Sequence, residues 1–317
     1  MPARPGRPAR RGGRSAIAPS RLADGRIPVL KTYKLYIGGA FPRTESGRSY
    51  LVRSPDGTPL ANACRGSKKD LRDAVRAART AFPGWSARTA YNRGQILYRV
   101  AELMEGRRDQ FAAEVAAAEG IAPGRAADLV GRAIDRWVWY AGWADKIAQV
   151  LGSSNPVAAP YFNFTIPEPT GVVGIVAPET SSLLGLVSRL APVIVSGNTA
   201  VVVASESRPL PAVTLAEVLA TSDVPAGVVN VVTGFRRELV PVLAAHVDVD
   251  GLDTWGVPEE MRRDVELVAA DNVKRLSRRP TTVREDRFDW TDDRAAERPE
   301  WIAAFLEAKT VWHPIGV

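Results

Sequence analysis

Cysteine is almost missing: in 317 residues only Cys64 carries a thiol. A lone cysteine excludes an internal disulfide framework and a cysteine-built metal cluster, and it fits a reducing, cytoplasmic setting. Histidine is nearly as scarce, with His246 and His313 alone, too few for the usual zinc sites, so no metal is expected. No uncharged apolar run reaches the roughly 18 residues of a spanning helix. The nearest, LLGLVSRLAPVIVSG, is broken by Arg189, so no membrane role is expected. The N-terminus also lacks the apolar core of a secretory signal.

What is present belongs to an ordinary globular chain, with 45% hydrophobic and 24% charged residues. The length suffices for two compact units. The formal charge of +7 looks like a nucleic-acid signal until it is located: residues 1–26 hold seven Arg and one Asp and carry nearly all of it. Such an Arg/Pro/Gly-rich stretch cannot bury enough apolar surface to fold. Residues 1–30 are therefore expected to be a disordered basic arm, a solvated tail or the product of a start codon placed too far upstream. Phosphate binding and targeting are lesser alternatives for it. The near-neutral remainder argues against nucleic acid as a partner.

Residues 34–66 alternate short apolar runs with Gly and Pro-Asp-Gly turn signals, a pattern of antiparallel strands. Ser67 and Asp70 make a capping-box-like start, and Leu71, Val75, Ala78 and Phe82 then share a helical face. Further amphipathic helices follow around Ile96–Met104, Phe111–Ala118 and 124–150. In the last, Trp137, Tyr140 and Trp143 are spaced to face a core. From 171 short Val-rich strands alternate with helices: strands at Gly171–Ala177, Thr199–Val203, Val228–Val232 and Val249–Leu252, helices at Ser181–Ser196, Ala212–Thr221, Leu239–Ala245 and Glu259–Leu276. Continuous apolar strands between helices predict an α/β fold, a doubly wound, Rossmann-like parallel sheet covered on both faces. Residues 277–300 are dense in charge and poor in aliphatics, as in a linker, and 301–317 regain apolar character.

These motifs resemble the aldehyde dehydrogenase family. LYIGGAFPRTESGRSYLVRSPDGTPLA, GSKKDLRDAVRAARTAFPGWS, YAGWADKI, PEPTGVVGIVAP, LAPVIVSGNTAVVV and DVPAGVVNVVTG match it in order and spacing. Several motifs in register are far more specific than one Gly-rich loop. The resemblance implies N-terminal strands and helices over 31–159 packed on an NAD-type domain at 171–276. It also implies a small β oligomerisation arm whose two parts are 160–170 and 301–317, with FLEAKTVW as the final strand. The implied chemistry, NAD(P)-dependent oxidation of an aldehyde, needs a cysteine thiolate, donors to an oxyanion, a glutamate base and a nicotinamide.

Most of those parts are missing. No cysteine follows Cys64, which sits at a strand end with no neighbouring His and is expected to be a small core residue. The glutamate-bearing motif expected after AADNVKRLS is replaced by Arg278, Arg279 and Pro280, as though 277–300 stood in for the catalytic domain. Glu179 and Thr180 stand where the family has Trp-Asn, whose amide helps the oxyanion. Ala204 replaces the ribose-binding Lys, Val257 replaces a Ser that caps the pyrophosphate, and Arg236 stands where a glycine lets backbone approach the cofactor. Arg236 and Arg237 are read either as a solvated loop or as partners of a phosphate. Ser181 and Ser182 have no His placed beside them, so a hydrolytic triad is set aside, and His246 is read as a helix-end cap.

No catalytic residue is therefore assigned. The cofactor-binding positions that the resemblance carries over are Ile175, Ala177, Pro178, Glu179, Glu206, Gly234 and Gly256, implying NAD or NADP binding that is possible but weakened. Three functions stay open, in this order: a non-catalytic subunit that scaffolds or regulates a full-length aldehyde dehydrogenase in a hetero-oligomer, or pairs with itself; an NAD-dependent dehydrogenase active only with partner-supplied groups; and a nucleotide-sensing or nucleic-acid-binding module.

Overall fold

The computed structural model describes residues 29–316; the basic stretch 1–28 lies outside them. Strands β1 (Thr32–Tyr33), β2 (Ser49–Arg53) and β3 (Pro59–Cys64) form a small sheet in the order β1-β3-β2. The β2–β3 hairpin turns at Pro55-Asp56-Gly57, where Gly57 adopts φ +88° and Ser54 N–H reaches Thr58 O at 2.9 Å. Within 34–66, β2 and β3 pair antiparallel as expected, while β1, just before that stretch, runs parallel to β3.

Four long helices follow: α1 (Lys68–Ser86), α2 (Ala90–Glu105), α3 (Arg108–Glu119) and α4 (Pro123–Trp143). The Ser67–Asp70 capping box is present in full. In α4 Trp137 and Tyr140 are completely buried, while Trp143 is only partly covered. The chain continues through α5 (Ile147–Leu151), β4 (Ser153–Asn155) and β5 (Tyr161–Pro169) into the parallel sheet: β6 (Val172–Val176), α6 (Leu184–Val195), β7 (Thr199–Val203), α7 (Leu210–Leu219), β8 (Val229–Val232), α8 (Arg236–Ala245), β9 (Gly251–Asp253), α9 (Glu259–Ala270) and β10 (Arg275–Ser277). Strand order is β10-β9-β6-β7-β8, all parallel.

The strand pleat sorts the valines between two cores. Val173, Ile175, Ala200 and Val202 point into the core covered by α2, α4, α6 and α7, while Val172, Val176, Val201 and Val203 face α1, α8 and α9. Each such side chain contributes about 1.5–3 kcal/mol of burial, so one sheet holds both layers. Cys64 lies in the second core with Leu35 and Leu71.

Two expectations are corrected. The helix predicted to run from Glu259 to Leu276 stops at Ala270: Val273 takes φ +53° and the chain turns into β10. The turn is held where Lys274 Nζ donates to His246 O at 2.6 Å and Val249 O at 2.8 Å, and β10 then recovers its backbone hydrogen bonds against β9. The segment 277–300 is not an open linker. It carries a 3₁₀ turn at Glu285–Arg287, α10 (Asp293–Ala296) and, at its end, the start of α11 (Pro299–Ala303). Trp290 and Ala296 are buried there, so it is a folded cap. After α11, β11 (Leu306–Pro314) pairs antiparallel with β5 over nine residues, from Leu306 opposite Pro169 to Pro314 opposite Tyr161. The resulting sheet has the order β11-β5-β4.

Candidate functional site: a crevice at the carboxyl end of the sheet

In an open parallel sheet, ligands bind outside the carboxyl ends of the strands where the strand order reverses. Here the chain winds β6-β7-β8 to one side and β9-β10 to the other, so the reversal lies between β6 and β9. The loops after these two strands touch. Gly256 N–H donates to Val176 O at 3.0 Å, and a Cβ on Gly256 would stand 2.0 Å from Ala177 O, so only glycine fits. At Gly234, after β8, φ is +150° and the backbone lies against Gly66.

The expected cofactor positions gather here, and charged side chains of the chain itself fill the space they frame. The Arg236 guanidinium, with its side chain 7% exposed, reaches from the first turn of α8 across the crevice. It donates to Gly256 O at 2.8 Å and to Ala177 O, and pairs with Glu179 Oε2 at 2.7 Å. Arg236 is thus neither a solvated loop residue nor open to a phosphate, because its charge is neutralised inside the fold. Arg237 is exposed beside it.

Glu179 also accepts from the backbone N–H groups of Glu206 at 3.0 Å and Ser207 at 2.7 Å. Burial alone would raise its pKa, but Arg236 and the Ser207 and Glu206 donors outweigh that and hold it below the ordinary 4.5. Glu206 in turn accepts the Arg236 N–H at 2.8 Å. Tyr50 packs against Phe235 with ring centroids 5.3 Å apart, and its buried hydroxyl has no hydrogen-bond partner among the described residues. Burial, with Glu206 and Glu179 nearby, pushes the Tyr50 phenol well above its usual range. Ile175 is wholly inside the core and Pro178 is buried in the loop.

A further carboxylate comes from the cap. Glu285 Oε1 accepts the N–H groups of Glu179 at 2.6 Å and Thr180 at 3.0 Å and the Thr180 hydroxyl at 3.1 Å. Glu119 does the same for Ser182, at 2.8 Å from its N–H and 2.7 Å from its Oγ. Six backbone donors around the crevice, at 179, 180, 182, 206, 207 and 236, are therefore all taken by internal glutamates. Ser182 and Ser181 point at Glu119 and Gly185, with no histidine beside them.

Behind Glu285, Trp255 from the loop after β9 packs on Phe288, Trp290 and Trp301, at 4.8, 5.2 and 5.7 Å between centroids. Arg189, inside apolar α6, lies 4.3 Å above Trp301 and 5.0 Å from Trp255, while its Nε donates to fully buried Asp253 at 2.6 Å. Arg136, also fully buried, ties α4 to the cap through Ala296 O, Asp293 and Glu297. None of these contacts was assigned from sequence. The available signals were an arginine inside an apolar helix and three aromatics within a charged stretch.

Cys64 is buried in the same core cluster as Leu35, Leu71 and Leu239. His246 ends α8 at the opposite end of the sheet, where its Nδ1 accepts the Asp248 N–H at 3.2 Å. Among the described residues no cluster of three or more His, Cys, Asp or Glu could hold a metal, and no helix is long and apolar enough to cross a membrane.

Residues 42–278 match the aldehyde dehydrogenase family. The chain is 34% identical to retinal dehydrogenase 2 of Gallus gallus over 258 residues, which covers 78% of this chain and 48% of that protein. It is 32% identical to omega-crystallin of Enteroctopus dofleini, covering 80% of this chain and 51% of the relative. Among solved structures, HpcC from Thermus thermophilus superposes with a TM-score of 0.73 at 33% identity, covering 78% of this chain and 48% of that one. An NAD+ complex of the Bacillus cereus aldehyde dehydrogenase gives 0.72 at 27% identity, covering 78% and 50%. The chain thus spans about half the length of these relatives. With a matching family model over most of the chain and the same sheet at its centre, the protein belongs to the aldehyde dehydrogenase family.

Proposed function

We propose that this protein is a non-catalytic aldehyde dehydrogenase-like subunit that scaffolds or regulates a full-length, NAD(P)-dependent relative in a cytoplasmic hetero-oligomer. The observation that carries this is the Arg236–Glu179 pair in the crevice, 2.7 Å apart, each member also hydrogen-bonded to backbone groups of the surrounding loops. The residues there do not fit a bound dinucleotide: a guanidinium fills the space between Ala177 and Gly256, and the loop N–H groups that would meet phosphate already hold carboxylates. Nor do they fit the family's chemistry. Thiohemiacetal formation needs an exposed thiolate, and the single cysteine is buried in an apolar core. Oxyanion stabilisation needs a donor, and the Glu179 carboxylate would repel developing negative charge.

The β4-β5-β11 sheet supports the scaffold role. Phe162, Trp312 and Tyr161 are 49%, 58% and 40% exposed on it, and β11 is an edge strand. An edge with exposed aromatics is an aggregation liability unless another chain pairs with it. The test is purification of the full chain from the cells that express it. A complete aldehyde dehydrogenase is expected to co-elute at fixed stoichiometry and to change in activity when this subunit is removed. Elution of the chain alone would overturn the proposal, as would aldehyde-dependent NADH formation by the isolated chain that survives Cys64→Ala.

A further inference from the structure

We infer that the crevice excludes dinucleotides by occupation rather than by loss of ligands: the Arg236–Glu179 pair is an internal plug, and removing the plug alone reopens a site for a phosphate-bearing nucleotide. The inference rests on the non-catalytic reading above and specifies what closes the site. Two kinds of change stand in the crevice, and they differ physically. Ala204 and Val257 are losses, small buried apolar side chains that offer a ligand no polar group. Arg236 and Glu179 are gains, since they put a buried cation and its anion into the volume between the β6 and β9 loops.

Three features favour occupation. The framework survives: Gly256 still approaches Ala177 too closely for any side chain, and Gly234 keeps φ +150°. The loop N–H groups remain aimed into the crevice, where Glu179 receives those of residues 206 and 207 as an anionic ligand would. The plug is also not fully satisfied: Arg236 Nε is buried with no hydrogen-bond partner among the described residues.

The two members must leave together. Without Arg236, the Glu179 carboxylate still covers the N–H pair and repels phosphate. Without Glu179, the guanidinium stays bridged between the carbonyls of Ala177 and Gly256. Neither single variant should bind.

The experiment titrates NAD+ and NADP+ calorimetrically into the full chain as wild type, as E179N/R236G with the plug removed, and as A204K/V257S with ligands restored and the plug kept. Near-UV circular dichroism checks the fold, and E179A/R236A serves as a second plug-free variant. The expected result is no saturable binding by the wild type or by A204K/V257S up to about 1 mM, and binding at least about tenfold tighter by a plug-free variant. Binding by A204K/V257S with the plug in place overturns the inference, as does silence from a natively folded plug-free variant.

Amide hydrogen exchange on the wild type gives a readout independent of variants: the N–H groups of 179, 180, 206, 207 and 236 should be protected without ligand and unchanged by NAD+. Rapid exchange at these sites would also overturn it. Wild-type binding at micromolar NAD+ would likewise overturn the inference, whereas the non-catalytic reading fails separately, on aldehyde-dependent NADH formation by the isolated chain, so the two failures are distinguishable.

Discussion

The crevice and the β4-β5-β11 sheet are treated oppositely by the same chain. At the crevice, polar groups that could face a ligand are turned inward and paired: Arg236 with Glu179, Arg189 with Asp253, and the loop N–H groups with Glu285, Glu206 and Glu119. On that sheet, apolar groups that could be buried stay outside, with Trp312 packed edge-on against Tyr161 at 5.8 Å and both open to solvent. Closure of one region and exposure of the other is what the proposed scaffold role requires.

The contrast breaks most severely at the buried cation under the cap. Arg189→Met leaves Asp253 charged and unpaired where it is 0% exposed, and loss of one partner of a buried pair costs about 3–5 kcal/mol. Thermal unfolding should show a large fall in Tm, with partial rescue in the Arg189→Met/Asp253→Leu double variant. Full stability in the single variant would mean that the cap is not held from below.

A smaller loss is expected at the plug. Glu179→Gln removes charge-assisted hydrogen bonds worth about 1.5–3 kcal/mol, measurable by denaturant unfolding. Its pH dependence has a definite sign. Because the folded pKa lies below the ordinary 4.5, the carboxylate contributes stability that is fully present above about pH 4.5 and lost as pH falls through the lower folded value. The wild type should therefore lose stability on acidification below that point more steeply than Glu179→Gln. Parallel pH profiles for the two would contradict the pairing.

At the β4-β5-β11 sheet the expected effects on stability are small and those on association large. Trp312→Ser, at a side chain more than half exposed, should change unfolding free energy by less than about 0.5 kcal/mol while weakening co-elution with a full-length relative. A large loss of stability with association intact would invert the comparison. Smallest of all, Lys309→Ala removes an exposed ion pair with Glu168 at 2.8 Å and should cost only about 0.2 kcal/mol.

The parallel sheet was legible because its signal is local. Val172–Val176, Thr199–Val203 and Val229–Val232 are short β-branched runs bounded by Gly, Pro and Asn, and their partners are fixed by right-handed crossovers. Ser67 and Asp70 were legible for the same reason, a cap closed within one turn. The cap over the crevice was not. Glu285 lies 105 residues from Thr180, and Arg136 lies 161 residues from Glu297, so charges that look solvated in sequence are neutralised only in three dimensions.

In the crevice the losses at Ala204 and Val257 could be read from residue type alone. The gain could not. Nothing local distinguishes a solvated Arg236 from one that folds back onto Glu179, because the decision depends on two carbonyls, Ala177 O and Gly256 O, supplied by loops far apart in the chain. The end of α9 failed for a similar reason: helical periodicity through Leu276 is overridden at Ala270 by strand pairing with β9.

The central claim, that the crevice is closed from within, is tested most directly by calorimetric titration of NAD+ into the wild-type chain. The account predicts no saturable heat up to about 1 mM, and a saturable isotherm with a dissociation constant near 1 μM would contradict it.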